Sequence, residues 1–148
     1  MRKKPLNFVK LVFPSRSANE SLARSVAAAF VSQLDPTLEE LSDVKTAVSE
    51  AVTNVVVHAY PDKIGPVEMV LRLHEGNVVE IVVRDKGCGI EDVQKAMEPT
   101  YTTGGADRSG MGFTIMESFM DTMKVRSVPG RGTTVTMRKK IALRASVR

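Results

Sequence analysis

The first 34 residues change from a strand-like to a helix-like pattern of apolar positions. Residues 6–14 form a mostly apolar run that ends at a proline, which predicts a short strand. Apolar residues then recur at helical spacing from 17 to 34. Ser17 and Glu20 are a candidate capping box, in which each side chain satisfies a backbone N–H group of the other residue. The pattern therefore predicts a first helix that begins close to Ser17.

A second helix is predicted from the next stretch of the chain. An Asp-Pro pair interrupts the first helix, and Thr37 with Glu40 offers another capping box. The apolar positions that follow fall on one side of a helical wheel, and they are Leu41, Val44, Val48, Val52, Val55 and Ala59. This helix is expected to run to about Tyr60, because Pro61 stops it.

The second half of the chain predicts two pairs of strands with a helix between them. The elements are a hairpin over 67–73 and 78–84, a mainly loop region over 85–107 with one helical turn near 91–97, a helix over 112–121, and strands over 123–128 and 133–140. Helices and strands neither alternate strictly nor occur as one type. The order favours an α+β fold, a two-layer α/β sandwich with helices on one face of a mixed, mainly antiparallel sheet.

Length and composition fit one globular domain over residues 1–148. The chain is 43% hydrophobic, and no apolar run reaches the roughly 18 residues of a membrane-spanning helix. The basic N-terminus lacks the apolar stretch of a signal peptide, so we expect a cytoplasmic protein that does not enter a membrane. The only cysteine, Cys88, has no Cys or His at metal-ligand spacing and is expected to fill a loop position.

The net charge of +4 comes from the two ends of the chain. Eight of the 21 basic residues lie at these ends, whereas all 17 acidic residues lie between Pro5 and Met137. That body holds 13 basic residues and has a net charge of −4. Basic ends on an acidic body are typical of solvated termini, so no direct nucleic-acid partner is predicted.

The second predicted helix carries a polar pair opposite its apolar side. Glu50 and Asn54 are four residues apart in the run SEAVTN, so they are neighbours on one helix face. A carboxylate beside an amide oxygen suits Mg²⁺, which takes few protein ligands and completes its shell with water and substrate phosphates. Most isolated pairs of this kind lie on a solvated face. Because Ala47 and Val57 flank this pair, we expect another part of the molecule to cover it.

A second candidate residue ends the predicted strand VVEIVVRD. The period of two places Asp85 on the same face as the apolar residues before it, where a carboxylate needs a partner. The simpler interpretation is a turn in which Asp85 bonds nearby backbone. The functional interpretation is that Asp85 accepts a hydrogen bond from a ligand amine, while Gly87 and Gly89 let the backbone approach a flat ring.

A glycine-rich segment, TTGGADRSGMGF, precedes the last predicted helix. Such segments expose backbone N–H groups that favour phosphate, and Arg108 offers a neutralising charge. The P-loop and GxGxxG patterns are absent, and a plain turn with a solvated arginine is the ordinary alternative. Together, however, the three features fit one ligand with an amine-bearing ring, phosphates and a divalent ion. That ligand is ATP with Mg²⁺.

These segments resemble the GHKL nucleotide-binding superfamily, the group of gyrase, Hsp90, histidine-kinase and MutL ATPase domains that share the Bergerat fold. Its N box resembles residues 50–54, its first glycine box residues 85–89, and its second glycine box residues 110–112. The resemblance covers nearly the whole chain. The run RSGMGFTIMESFMD is similar to the anti-sigma F family of endospore-forming bacteria, whose members are also serine kinases.

The resemblance implies a role for each matching position. Glu50 would be the general base that orients or deprotonates an acceptor serine, and Arg108 would act on the terminal phosphate. Asn54 would hold Mg²⁺, and Asp85 would bind the adenine amine. Arg24, on the first helix, matches a position that contacts protein partners. The other nucleotide-binding positions would be Gly87, Gly89, Thr102, Thr103, Gly105, Ser109, Gly110, Met111, Gly112 and Thr133.

The resemblance also implies partners. The implied protein is a homodimeric anti-sigma factor that binds sporulation sigma factor F and keeps it from RNA polymerase. It would also be a kinase that phosphorylates an anti-anti-sigma factor on serine with ATP. Two alternatives stay open: the similar stress-response anti-sigma B kinase, and an interaction module that needs nucleotide but transfers no phosphate.

Overall fold

The computed structural model describes residues 4–98 and 109–143. In chain order the elements are β1 Asn7–Pro14, α1 Ala18–Val31, α2 Leu38–Asn54, β2 Pro66–His74, β3 Val78–Asp85, α3 Val93–Met97, α4 Ser109–Phe119, β4 Thr122–Val128 and β5 Gly132–Lys140. A 3₁₀ turn, Ser32–Leu34, follows α1, and a π-helical turn, Val55–Ala59, follows α2. No helix in these ranges is both long and apolar enough to cross a membrane.

The five strands form one sheet in the order β1-β2-β3-β5-β4. Every pairing between neighbouring strands is antiparallel, so the expectation of a mixed sheet is wrong for the described residues. The central strand, β3, is buried at five consecutive positions. This burial on both faces explains why its sequence is an almost unbroken apolar run.

The helices pack on one face of the sheet, with α2 between α1 and α4. Val48 and Val52 of α2 are fully buried in the same core as Leu71 of β2 and Ile81 of β3. The predicted two-layer α+β sandwich is therefore confirmed. Ala47, which the helical wheel placed beside Glu50 and Asn54, is also fully buried. A helix with neighbours on both sides buries a wider arc than a single apolar stripe.

The two predicted capping boxes have different outcomes. At the start of α2, Thr37 Oγ1 accepts from the Glu40 N–H at 3.0 Å and Glu40 Oε1 accepts from the Thr37 N–H at 2.9 Å, as expected. Ser17 makes no side-chain cap, so the first capping box is wrong. Glu20 instead accepts a hydrogen bond from Ser49 Oγ of α2 at 2.8 Å. A partner on another helix has replaced the local one.

The face of the sheet opposite the core carries charged side chains that pair across strands. Glu80 is only 7% exposed, and its carboxylate contacts Arg72, His74 and Arg138 at 2.9 to 3.2 Å. Burial by itself would raise the pKa of Glu80, but hydrogen bonds from His74, Arg138 and Arg72 outweigh it and hold the pKa below its ordinary value. This face is therefore held by ion pairs across the strands.

Candidate nucleotide-binding site

The end of α2 and the first turns of α4 meet at Asn54 and Gly112. A Cβ atom on Gly112 would lie 3.0 Å from Asn54 Oδ1 and 3.1 Å from Nδ2, which is tighter than ordinary packing. Glycine therefore lets the Asn54 amide rest against the backbone of α4. Ser109, Gly110 and Met111 form the first turn of this helix. The fold thus brings the polar face of α2 next to the glycine-containing start of α4.

Glu50 lies one turn before Asn54 on the same side of α2, and both residues are half-buried. The expectation that another part of the molecule covers this face is confirmed at Asn54, which α4 approaches. Val57, the other expected flank, is 55% exposed. The half-burial of both side chains, and the contact of Asn54 with α4, differ from the fully solvated face that was the ordinary alternative.

Directly after Asn54 the helix changes from α to π geometry over Val55–Ala59. The helix that was expected to run to about Tyr60 is therefore confirmed in extent, since it continues to Ala59, but its last turn is π-helical. π turns inside helices are rare and occur often at functional sites. The Ala59 carbonyl oxygen at the end of this turn accepts a hydrogen bond from the Cys88 N–H at 2.8 Å. The π turn thereby connects the end of α2 to the loop after β3.

Asp85 ends β3, and its Oδ1 atom accepts two backbone hydrogen bonds. The donors are the N–H groups of Gly87, at 2.9 Å, and of Thr133, at 3.2 Å. Within the described part of the chain, Oδ2 has no donor and no cation pairs with the carboxylate. Burial raises the pKa of Asp85, and the two backbone bonds offset this only in part. The hydrogen bond expected for a simple turn, from Gly87 to Asp85, is thus present, and the Oδ2 atom remains available to accept from a ligand.

The glycines of this loop are required by the protein's own backbone. A Cβ atom on Gly87 would overlap the carbonyl oxygen of Ala59, and one on Gly89 would overlap that of Val128. Gly89 also has a φ of +74°, which L side chains rarely adopt. The protein backbone therefore explains why glycine is needed at both positions. The approach of a flat ring to these glycines stays a prediction.

Two residues that the sequence did not single out hold this loop. Tyr60 Oη accepts from the Lys86 N–H at 2.7 Å, and Ser127 Oγ accepts from the Ile90 N–H at 2.7 Å. A tyrosine between an apolar helix and a proline is a sequence signal for a buried ring that needs a polar partner. The identity of that partner has no sequence signal, because each bond joins elements that are distant along the chain.

Several predicted residues lie elsewhere. Thr102, Thr103, Gly105 and Arg108 lie outside the described residues, so their roles stay predictions. Arg24 lies on α1 and contacts Glu20 at 3.6 Å. Because α2 lies between α1 and α4, Arg24 belongs to a different surface from the Asn54 and Gly112 junction.

The oxygen atoms of α2 fit Mg²⁺ only as part of a shared coordination shell. Among the residues described, no group of three or more His, Cys, Asp or Glu side chains can hold a metal. Mg²⁺, however, usually takes one or two protein oxygens together with water and substrate phosphates. Asn54, with Glu50 one turn away, supplies hard oxygen atoms of this kind. The residues thus suit a metal that arrives with a nucleotide.

Comparisons with known proteins agree with this arrangement. The family of histidine kinase-like ATPase domains matches residues 13–139. A protein named anti-sigma F factor from Thermoanaerobacter sp. (strain X514) is 54% identical over 136 residues, which cover 91% of this chain and 94% of the relative. The anti-sigma F factor of Clostridium acetobutylicum is also 54% identical, over 93% of this chain and 96% of its own. That of Priestia megaterium is 50% identical, over 90% and 92%.

Solved structures show the same fold at much lower identity. The RsbU and RsbW domains of a Mycobacterium tuberculosis protein match with a TM-score of 0.67 at 16% identity, and the match covers 93% of this chain and 32% of that one. The histidine kinase domain of a blue-light activated kinase from Erythrobacter litoralis matches with a TM-score of 0.57 at 19% identity, over 87% and 62%. This chain spans about a third of the first solved chain.

The matches to the sequence relatives span almost the whole length of those relatives. The family match spans all but the two ends of this chain. The fold has the same architecture as the kinase domains. Asn54 of the expected N box lies against Gly112 of the second glycine box, and the first glycine box contacts Ala59 at the end of the π turn. The chain belongs to the anti-sigma F factor family of histidine kinase-like ATPase domains.

Proposed function

We propose that this protein is an ATP-dependent serine kinase and an anti-sigma factor. In this proposal it binds ATP with Mg²⁺, holds sporulation sigma factor F away from RNA polymerase, and phosphorylates a serine of an anti-anti-sigma factor. The main observation in support of a nucleotide site is the contact between Asn54 and Gly112. It places the helix face that bears Glu50 and Asn54 against the start of α4. The names of relatives at 54% identity support the choice of partner.

The base of ATP would be recognised at the end of β3. The Oδ2 atom of Asp85 would accept from the adenine amine, while Oδ1 stays bonded to Gly87 and Thr133. An amide or carbonyl in place of that amine would leave a buried acceptor without its donor, which is costly. The adenine preference thus follows from a carboxylate that the fold holds in one direction.

The phosphates would lie between α2 and the start of α4. Backbone N–H groups at a helix N-terminus favour anions, and the first turn of α4 begins at Ser109. Asn54 would hold the Mg²⁺, which neutralises phosphate charge when it is bound. The transfer breaks the bond from the γ-phosphorus to the bridging oxygen of ADP and forms a bond to the serine oxygen. Glu50 would orient the serine hydroxyl and take its proton.

The partner surface would be separate from the nucleotide. Arg24 on α1 is 38% exposed in its side chain and contacts the carboxylate of Glu20. An exposed guanidinium with one carboxylate neighbour suits a protein contact. We further propose that the protein acts in the cytoplasm, because sigma factors and RNA polymerase are found there, and that it is a homodimer, as the family resemblance implies.

Glu50→Gln separates the kinase from a nucleotide-dependent binding module. The variant should bind ATP as the parent does, but it should lose most transfer of radiolabelled phosphate to the anti-anti-sigma partner, since general-base catalysis contributes roughly 10²- to 10⁴-fold. Glu39→Gln, on the exposed first turn of the same helix, is the matched control and should keep full transfer.

Three results would count against this proposal. Normal transfer by Glu50→Gln would remove Glu50 as the base. A parent protein that binds ATP and sigma factor F but never labels the partner would be a binding module. Failure to co-purify with sigma factor F in the presence of ATP, together with capture of a stress-response sigma factor, would favour the anti-sigma B alternative.

A further inference from the structure

The loop that follows β3 is held at both of its ends by side-chain hydroxyl groups. We call residues 85–90 the Asp85 loop. Near its start, the Lys86 N–H donates to Tyr60 Oη at 2.7 Å, and at its end the Ile90 N–H donates to Ser127 Oγ at 2.7 Å. Neither hydroxyl belongs to the three boxes that the sequence identifies.

Tyr60 is itself firmly fixed. Its ring is 7% exposed and lies where a Cβ atom on Gly65 would collide with it. Its hydroxyl donates to the Pro66 carbonyl oxygen at 2.5 Å, so its lone pair is directed to the Lys86 N–H. Burial raises the pKa of Tyr60, which keeps this hydroxyl protonated at neutral pH. The start of the Asp85 loop is therefore fixed to the segment that connects α2 to β2.

Ser127 connects the other end of the loop to β5. Besides accepting from Ile90, its Oγ lies 2.8 Å from Thr133 Oγ1 and donates to the Gly132 carbonyl oxygen at 3.1 Å. The backbone N–H of the same Thr133 is one of the two donors to Asp85 Oδ1. Ser127 thus fixes both the loop and a residue that orients the carboxylate.

We propose that Tyr60 and Ser127 are positioning residues that set the direction of the Asp85 carboxylate and thereby determine the preference for an amine-bearing base. This inference rests on the proposed function, because it requires that Asp85 binds the adenine of ATP. The two hydroxyls touch no ligand in this role. They act through the N–H groups of Lys86 and Ile90, which lie on either side of the glycines of the loop.

A comparison of two nucleotides tests the inference. ITP carries an oxygen where ATP carries the amine. The ratio of the dissociation constant of ITP to that of ATP therefore measures how well the Asp85 carboxylate is oriented toward the amine. Tyr60→Phe and Ser127→Ala should each weaken ATP binding about 5- to 10-fold, the equivalent of one hydrogen bond, and leave ITP binding within about twofold. The ratio should therefore fall. Ser127→Thr keeps the hydroxyl and should restore most of the ratio.

Thr37→Ala is the matched control. It removes a hydroxyl that accepts from a backbone N–H, that of Glu40 at 3.0 Å, at the start of α2 and outside the Asp85 loop. It should lower the melting temperature without changing the ratio. The inference is overturned if Tyr60→Phe or Ser127→Ala weakens the binding of both nucleotides equally, or if Thr37→Ala changes the ratio as much. If Tyr60→Phe does not fold, the two Ser127 variants decide. A parent protein that binds neither nucleotide refutes the proposed function instead.

Discussion

Asp85→Asn should make the folded protein more stable at neutral pH while it damages nucleotide recognition. In the parent, burial raises the pKa of Asp85, so the folded state holds an ionised carboxylate at a cost. Asparagine keeps an acceptor oxygen for the N–H groups of Gly87 and Thr133, which now bond to Oδ1. The substitution therefore removes the charge and keeps the local hydrogen-bond pattern.

The size of the effect follows from the cost of burying an acceptor that lacks a donor. That cost is about 1 to 3 kcal/mol, and part of the gain is offset because bonds to a neutral oxygen are weaker than bonds to a carboxylate. We expect a gain on the order of 1 kcal/mol in the free energy of unfolding. For a chain of this size, that corresponds to a rise of about 3 °C in melting temperature.

The sign of the pH dependence is a further check. A carboxyl group whose folded pKa is raised costs stability above its ordinary pKa, and the cost disappears when the group is protonated in both states. The advantage of Asp85→Asn should therefore be full at pH 7.5 and should shrink as the pH falls toward 4. At the same time ATP should bind about 10- to 100-fold more weakly, because the amine loses a charged acceptor.

Thermal unfolding and fluorescent-nucleotide titration measure both effects on one preparation. Glu91→Gln, an exposed residue six positions further on, controls for the loss of one negative charge. A melting temperature that falls at pH 7.5, or a difference that does not change with pH, would refute the reasoning. It would mean that the two backbone bonds already compensate the buried charge.

Two further predictions concern the junction of α2 with α4 and the surface of α1. Gly112→Ala should weaken Mg²⁺-dependent ATP binding about tenfold, as should Asn54→Ala, because the new methyl group displaces the Asn54 amide; unchanged affinity by calorimetry would remove this contact from the site. Arg24→Ala should leave ATP affinity unchanged and reduce capture of sigma factor F or the anti-anti-sigma factor in pull-downs. Normal capture of both partners would show that Arg24 lies outside the partner surface.

The local pattern of the sequence determined most of the secondary structure. Strands and helices have strong periodic signals, and residues 66–85 and 122–140 pair as two hairpins because their strands are adjacent along the chain. The Thr37 capping box was also readable, since both of its bonds lie within four residues. The same pattern failed at Ser17, where Ser49 of another helix supplies the partner of Glu20.

The sequence identified which residues could form the site, but it did not indicate how they come together in space. The sequence identified Glu50, Asn54, Asp85 and Gly112 by residue type, spacing and resemblance to a family. It carried no signal for the contact of Asn54 with Gly112, which depends on how α4 packs on α2. Periodicity likewise indicated the burial of Asp85, but the second donor to its carboxylate comes from β5.

Only the tertiary structure shows which side chains fix the Asp85 loop and that the turn after α2 is π-helical. The π turn at Val55–Ala59 lies in a run of apolar residues that would suit an α-helix equally well. Tyr60 and Ser127 find their partners only after β3, β4 and the end of α2 have come together. A chain specifies its local conformation through neighbours within a few residues, whereas a hydrogen bond between distant segments depends on packing that no short window of sequence contains.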